Sequence, residues 1–382
     1  MDNNAQRDIA IIGGGIGGLT AALAFARKNA HVTIYEQAPA LTEVGAGLQI
    51  TPNGARALNA LGLEKALAAS GITAQAVAPM DAISGKQITL FDLSDQTPAY
   101  RFYHRAALID VLARACTAAD VTVKLGTRIE MLRPDGSFEV DGIRIKPDMT
   151  FGADGLHSIV RGLINTAEKP FFTGQVAWRA LIKTDETDPI LRVWMAPGRH
   201  VVTYPLSGGR LNIVAVQERS GWAAEGWHHN DEPGNLRQAF ADCSWEIKGI
   251  LGDIEKVNLW GLYRHTVAAK WHAGSIAILG DAAHPTLPFM AQGANLAIED
   301  AYVLARVCNE NSDLEQGLRD YQTQRRARAV KAIAAANSNA RNYHLGGLKK
   351  IVAHTGLRAM GKVAPNAFLN RLGWLYDHDV TA

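Results

Sequence analysis

Cysteine is scarce in this chain. Among 382 residues only Cys116, Cys243 and Cys308 carry thiols, and they lie far apart. They form no Cys-x-x-Cys pair and no metal-ligand spacing, so they read as reduced thiols of a cytoplasmic protein. Net charge is nearly absent as well: 39 Lys and Arg face 37 Asp and Glu, leaving +2. That balance argues against nucleic acid or an anionic membrane as a partner. Internal repeats and low-complexity linkers are lacking. The uncharged run Ile9 to Ala26 resembles a signal or membrane segment, but it holds five glycines between Gly13 and Gly18. No later stretch looks like a span, so the chain is expected to be soluble. A second Gly-x-Gly-x-x-Gly is also missing. Reductases that hold two nucleotides usually carry one, and disulfide reductases add a close cysteine pair.

What is present is a globular composition, 47% hydrophobic and 20% charged, long enough for two or three domains. Ile9 to Ile12 reads as a short buried strand. Gly13, Gly15 and Gly18 follow as Gly-x-Gly-x-x-Gly, Leu19 to Lys28 as a helix, and His31 to Glu36 as a second strand ending in an acid. A glycine fingerprint between a strand and a helix, with an acid about 20 residues on, points to a dinucleotide. The glycines allow a tight turn and close approach of a pyrophosphate, and Glu36 would accept hydrogen bonds from a ribose. The alternative is a glycine-rich turn without a ligand.

A second stretch, Gly280 to Asn295, carries Asp281, His284, two prolines that stiffen it and Gly293. The apolar run Ser275 to Leu279 leads in as a strand, and Ala294 to Val307 leads out as a helix. Strand, polar loop and helix is where an α/β fold offers a helix N-terminus to a ligand. Between these ends lie Val44 to Ile50, whose small residues let backbone pass close to something flat, and a helix from Ala55. Gln87 to Leu93, Val121 to Leu125 and Arg128 to Met131 suggest strands, and Pro134 to Ser137 a hairpin turn. Arg105 opens a helix running Ala106 to Cys116, where a cation opposes the helix dipole. A role facing a phosphate fits it better than a surface-only role. Met149 to Gly155 is a strand ending in another Asp-Gly turn, with Ser158 and Arg161 beyond it.

After Phe171 strand-like runs alternate with turns: Gly174 to Lys183, Arg192 to Met195, His200 to Pro205 and Leu211 to Gln217. This reads as a mostly antiparallel sheet inserted into the nucleotide domain. The tryptophans gathered there, Trp178, Trp194, Trp222, Trp227, Trp245 and Trp260, read as packing residues. The C-terminal part is helical, including Leu314 to Ala336. The basic run Arg325, Arg326, Arg328 and Lys331 reads as a solvated helix face. The expected fold class is α/β, a Rossmann-like nucleotide domain with an inserted β-sheet substrate domain and C-terminal helices. Residues 1–70, 100–170 and 273–340 form the first, 71–99 and 171–272 the second, and 341–382 the tail.

Three motifs together resemble the FAD-dependent aromatic hydroxylases built on the para-hydroxybenzoate hydroxylase fold. They are Gly13 to Gly18, Gly152 to Ser158 with Arg161, and Gly280-Asp281 with its loop to Asn295. The salicylate hydroxylase and 3-hydroxybenzoate 6-hydroxylase branch looks nearest. His284 to Ala294, Trp222 with Glu225 and Trp227, and Trp374 to Asp377 carry that likeness. One departure is Pro288, where some 3-hydroxybenzoate enzymes have glutamine. The resemblance implies non-covalent FAD held by Gly13, Gly15, Ile16, Gly17, Gly18, Glu36, Gln37 and Gly47. It further implies contacts from Arg105 on the flavin side and from Gln49 and Asp281 on the ribityl chain. Asp154, Pro288, Gly293, Ala294 and Asn295 complete the set. NADH or NADPH would act as transient reductant and O2 as oxygen donor, on a small aromatic substrate, in a monomer or homodimer.

On the strand holding His200 and Tyr204, residues at even spacing share a face, so His200, Val202 and Tyr204 point one way. The resemblance puts the substrate pocket there, with His200 as base and Tyr204 orienting the substrate's hydroxyl or carboxylate. The plain alternative is a satisfied sheet histidine and a packing tyrosine. His284 is the rival base, although the resemblance has it shaping the flavin loop. Hydroxylation of a phenolic or hydroxy-heteroaromatic acid is the leading expectation. A urate- or quinone-precursor hydroxylase, a flavin dehydrogenase or oxidase without oxygen insertion, and a non-enzymatic flavin sensor are the competitors.

Overall fold

The computed structural model describes residues 7–41, 47–166, 168–185, 188–219, 221, 230–364 and 367–382. Val44 to Ala46, Trp222, Glu225 and Trp227 lie outside them. Apolar and β-branched runs buried on both faces build a six-stranded sheet. Its order is His272–Ala273, Ile276–Ile278, Met149–Gly152, Asp8–Ile12, His31–Tyr35 and Thr122–Lys124. All pairings are parallel except the short hairpin between the first two. Parallel strands need cover on both faces. Helices Ile16–Ala26, Arg105–Ala118 and Gln292–Glu310 pack within the same apolar core as this sheet.

Register decides where the motifs emerge. Ile12 lies beside Tyr35 and Gly152, and Gly152 beside Ile278. These are the last residues of four adjacent parallel strands. The stretches that follow, Gly13–Gly15, Glu36, Ala153–Asp154 and Gly280–Asp281, therefore leave the sheet at one edge. Carboxyl ends of parallel strands are where open α/β sheets bind ligands.

The inserted sheet has eight strands. Their order is Asn230–Asp231, Val257–Arg264, Phe171–Lys183, Arg210–Glu218, Arg199–Leu206, Ile190–Ala196, Ala76–Asp81 and Phe91–Asp92. All pairs are antiparallel except Ile190–Ala196 with Ala76–Asp81. Alternation sorts its two faces. Trp178, Val201 and Ile213 pack under helices Pro233–Ala239 and Trp245–Gly252. Ala177, Val214 and Val216 face Leu287, Phe289 and Met290 of the polar loop. Trp178, Trp194 and Trp260 are buried as packing residues, but Trp245 is 78% exposed. A third small sheet, Gly47–Ile50, Arg101–His104 and Ile72–Thr73, bridges the two large ones in the chain order.

Three expectations need correcting. Arg128 to Met131 is not a strand; only Glu130 bridges to Glu139. Gln87 to Leu93 reduces to a bridge at Gln87 and the two-residue strand Phe91–Asp92. The basic run is a solvated face only in part: Lys331 is exposed, but Arg325, on helix Leu314–Tyr343, is 1% exposed. The reason is a pair of carboxylates on the neighbouring helix. Arg325 meets Glu299 at 2.6 Å and Asp300 at 2.8 Å. Arg328 meets Glu299 at 2.7 Å and donates to the carbonyls of Trp374 and Leu375. Asn53 donates to Glu299 at 2.6 Å, and Asp300 takes the Gly280 amide at 3.1 Å and His284 Nε2. Burial would raise Asp300, yet His284 and Arg325 hold it down to about 2.

Removing one member of a buried ion network leaves an uncompensated charge. Arg325→Met is expected to lower unfolding free energy by about 3–5 kcal/mol in urea titrations. Arg319→Met, which removes half-exposed pairs to Glu315 and Asp313, should cost less than about 1 kcal/mol. Equal losses in the two variants would contradict the assignment. Asp300 is depressed in the folded state, so its contribution is full above the unfolded carboxyl value and fades as pH falls towards about 2.

Candidate active site

A cavity of about 710 Å³ runs from the carboxyl edge of the parallel sheet to the inserted sheet. The fingerprint glycines shape it in three different ways, Gly13 and Gly15 in its lining and Gly18 behind them. Gly13 has φ +105°, and a Cβ there would lie 2.4 Å from the Ala153 carbonyl oxygen. A Cβ on Gly18 would lie 2.0 Å from the Gly13 carbonyl oxygen, so that glycine serves close packing of helix on turn. Gly15 has nothing within 4 Å and opens onto the cavity. It is also the N-cap of helix Ile16–Ala26, with no side chain capping the first amides. Tight turn, open approach and close packing are the demands of a pyrophosphate on a helix N-terminus.

The polar groups around this opening come from all three motifs. Glu36 accepts from the amides of Gly14 at 2.6 Å and Ala38 at 2.8 Å, which orients its carboxylate at the cavity wall. Gln37 beside it is exposed and also lines the cavity. Asp154 caps the helix Ile159–Ile164 through Oδ2, while its buried Oδ1 finds no partner among the described residues. Asp281 is exposed at the cavity it lines, with protein packed closely around it. Burial raises its carboxyl despite the opposing charges of His284 and Arg105. Arg105, at the first position of its helix, is lowered to about 10 by burial and by Arg179. Ile16, Gly17, Gly47, Gln49, Pro288, Gly293 and Ala294 line the same space. Gly293 must be small: a Cβ would stand 2.9 Å from Thr286 Oγ1. Ala291 precedes the helix Gln292–Glu310 in the left-handed region at φ +56°.

The opposite wall belongs to the inserted sheet. His200, Val202 and Tyr204 all line it, as their alternation predicts, with Arg179, Val214 and Val216. Register puts Arg179 beside Val214 and Val214 beside Val202, a row across three strands. The Arg179 guanidinium stacks 4.7 Å from the Trp260 ring, and burial lowers its basicity. Tyr204 is pushed up to about 12 by burial, against Arg179 and a hydrogen bond to Gln49. It therefore stays a phenol. His200 is 2% exposed, and burial with His344 keeps it neutral, well below the usual imidazole range. Its Nδ1 lies 2.7 Å from His344 Nε2, and His344 Nδ1 lies 2.7 Å from Glu218 Oε1.

Two residues stand elsewhere than expected. Asn295 does not line the cavity. It is fully buried, accepting from the Thr51 amide and donating to the carbonyls of Gln49 and Ala291. Its amide is spent on protein, bracing the segments that carry Gln49 and Ala291 of the lining. His284 is likewise buried on Asp300 and makes no part of the lining. Arg179 and His344 were missed. Arg179 had one available signal, a cation inside the otherwise apolar run Val176 to Ile182.

The comparisons agree with this geometry. A family model described as FAD binding domain matches residues 6–336. The chain is 34% identical over 358 residues to 3-amino-4-hydroxybenzoate 2-monooxygenase of Streptomyces cremeus, covering 88% of each. It is 31% identical over 399 aligned positions to 3-hydroxybenzoate 6-hydroxylase 1 of Aquipseudomonas alcaligenes, covering 99% of this chain and 98% of that one. A solved salicylate hydroxylase substrate complex matches with a TM-score of 0.82 at 22% identity, over 99% of this chain and 97% of that one. That last likeness is one of fold. No helix among the described residues is long and apolar enough to cross a membrane. The matched span takes in all three motifs that meet at the cavity, and the chain belongs to the FAD binding domain family, as one of its FAD-dependent aromatic hydroxylases.

Proposed function

We propose that this protein is a single-component monooxygenase that hydroxylates a small phenolic or hydroxy-heteroaromatic acid with NADH or NADPH and O2. One observation carries the reading. A half-buried guanidinium, an imidazole and a phenol, Arg179, His200 and Tyr204, share one wall of the cavity. The two relatives above are named for hydroxybenzoates, rings bearing a carboxylate and a hydroxyl.

In this reading the FAD pyrophosphate lies on Gly13, Gly15 and Gly17, and its ribose on Glu36. Asp281 and Gln49 take the ribityl chain, and Arg105 with the loop Pro288 to Ala294 flanks the ring system. FAD supplies hydride acceptance and oxygen activation. The protein binds, orients and excludes water. Arg179 pairs with the substrate carboxylate; a desolvated guanidinium is well suited to that. His200 takes the ring hydroxyl proton, because an ionised ring is more electron-rich and accepts an electrophilic oxygen faster. Tyr204 donates to the substrate oxygen. The single fingerprint leaves no separate nicotinamide domain, so the reductant visits and departs.

Four outcomes test this. In a screen of aromatic acids, at least one hydroxybenzoate or hydroxypyridine carboxylate should accelerate NAD(P)H oxidation and yield stoichiometric hydroxylated product. Stimulated oxidation that ends only in hydrogen peroxide would sink the monooxygenase reading. Glu36→Arg should weaken FAD binding by roughly 1.5–3 kcal/mol in equilibrium titrations of apoprotein. Acid precipitation of the unaltered protein should release all its flavin, and flavin retained in the pellet would contradict non-covalent binding. Arg179→Gln should raise KM for the acid by roughly tenfold to a hundredfold, the worth of one charge-assisted pair, while FAD content stays unchanged.

A further inference from the structure

We propose that His344 and Glu218 are positioning and proton-relay residues, forming with His200 a chain that carries the substrate's hydroxyl proton to solvent. The inference rests on the reading of His200 as the base. It concerns two residues that touch neither substrate nor cofactor.

Geometry sets the direction of the chain. Glu218 closes the strand Arg210–Glu218, and its side chain is 53% exposed. His344 caps the end of the long helix Leu314–Tyr343, and its side chain is buried. A carboxylate can only accept, so His344 Nδ1 donates to Glu218 Oε1 across 2.7 Å. A neutral His344 then offers a bare Nε2, and His200 Nδ1 donates to it across 2.7 Å. By the same logic His200 keeps a bare Nε2, the nitrogen left for a molecule in the cavity that His200 lines. One carboxylate at the surface thus fixes the tautomers of two rings and leaves an acceptor at the far end.

Backbone contacts hold the three groups together. The Gly198 amide donates to the His344 carbonyl at 3.1 Å, and the Glu218 amide donates to the Gly198 carbonyl at 2.9 Å. Gly198 sits at φ +67° in the turn between strands Ile190–Ala196 and Arg199–Leu206. The Tyr343 and Phe289 rings lie 5.2 Å and 5.6 Å from the His200 ring and wall it from water. The titratable groups against the two imidazoles are Tyr343, which burial pushes up to about 12, and Glu218. Arg199, next along the strand, is paired with Asp242.

The steps balance. The substrate O–H bond breaks and its proton joins His200 Nε2. The Nδ1 proton of His200 passes to His344 Nε2, and the Nδ1 proton of His344 passes to Glu218 and then to water. Burial lowers both imidazoles, so neither ring retains the charge. When the product hydroxyl is reprotonated the chain runs inward, and both tautomers are restored.

The test uses FAD-loaded enzyme, a hydroxy-nitrobenzoate whose phenolate absorbs visibly, and a pH indicator in weak buffer. Phenolate absorbance reports ionisation in the site, and the indicator reports arrival of the proton in bulk water. In the unaltered protein the two signals should rise together. In Glu218→Gln and His344→Phe the ligand should still bind, but proton release should slow by about tenfold or more. Unchanged release in both variants overturns the relay while leaving His200 as base. A bound ligand that stays un-ionised in the unaltered protein overturns the base reading and the relay with it. Ring nitrogen NMR of the same protein gives a ligand-free check. Both histidines should carry the proton on Nδ1, and Glu218→Gln should abolish that preference at His344; a proton on His200 Nε2 at rest would overturn the proposal.

Discussion

Two adjacent carboxylates without access to water, Glu299 and Asp300, are the constraint on which the site rests. Either one alone in the interior would cost several kcal/mol to ionise. Both remain charged because Arg325 lies between them, with Arg328 on Glu299 and His284 on Asp300. Well-packed apolar residues could match such a network in stability. They could not do its positioning. Asp300 holds the Gly280 amide, the first residue of the polar loop, and Glu299 holds Asn53 at the start of helix Pro52–Ala60. Arg328 reaches the end of the last helix through Trp374 and Leu375. Three segments remote in sequence are thereby referred to one buried point, directly behind the cavity wall.

The parallel sheet supplies the other half of the frame. Four adjacent strands end in register, so the fingerprint, Glu36, Asp154 and Asp281 need no long-range contacts of their own to converge. The glycines then make the opening. Gly13 and Gly18 let the turn and helix close tightly on the sheet, and Gly15 leaves space above the helix N-terminus. Across the cavity, Gly47 does the same for the second sheet. A Cβ there would meet Asn212 at 2.7 Å and Tyr204 at 2.8 Å, while its amide donates to Asn212. The strand carrying Gln49 can therefore lie against the strand carrying Tyr204.

The legible parts of this design are those whose physics is local. A strand, three glycines and a helix announce themselves over a few residues, and alternation alone put His200, Val202 and Tyr204 on one face. What escaped depends on partners far away in sequence. Arg325 and Arg328 have the spacing of a solvated helix face, and only Glu299 and Asp300 on another helix turn that face inward. His344 follows a thirty-residue helix, and nothing near it marks its contact with His200, 144 positions earlier. Asn295 sits inside the right motif, but the turn of the helix aims its side chain at Gln49 and Thr51 and away from the cavity. The segment Arg128 to Met131 has strand composition, but Met131 turns into the left-handed region at φ +46° and only Glu130 bridges to Glu139.

The cavity wall shows two ways of favouring one charge state, and they are complementary. Arg179 is a fixed positive charge in a desolvated place, where Coulomb interactions are strong, so it favours an anion bound nearby at any pH. It draws Tyr204 downward, yet burial wins and Tyr204 remains a donor. His200 works differently. It carries no charge at neutral pH, so it adds no second cation to repel Arg105 and Arg179, which already oppose each other. An ionised imidazole in that position would compete with Arg179 for the carboxylate and lose the capacity to accept a proton. Desolvation keeps His200 neutral, and a route to the surface keeps it from having to hold what it accepts. In the proposed reaction a phenol is thus ionised beside two cations without a third one being created, and the ring presented to the oxidant stays as electron-rich as its own hydroxyl allows.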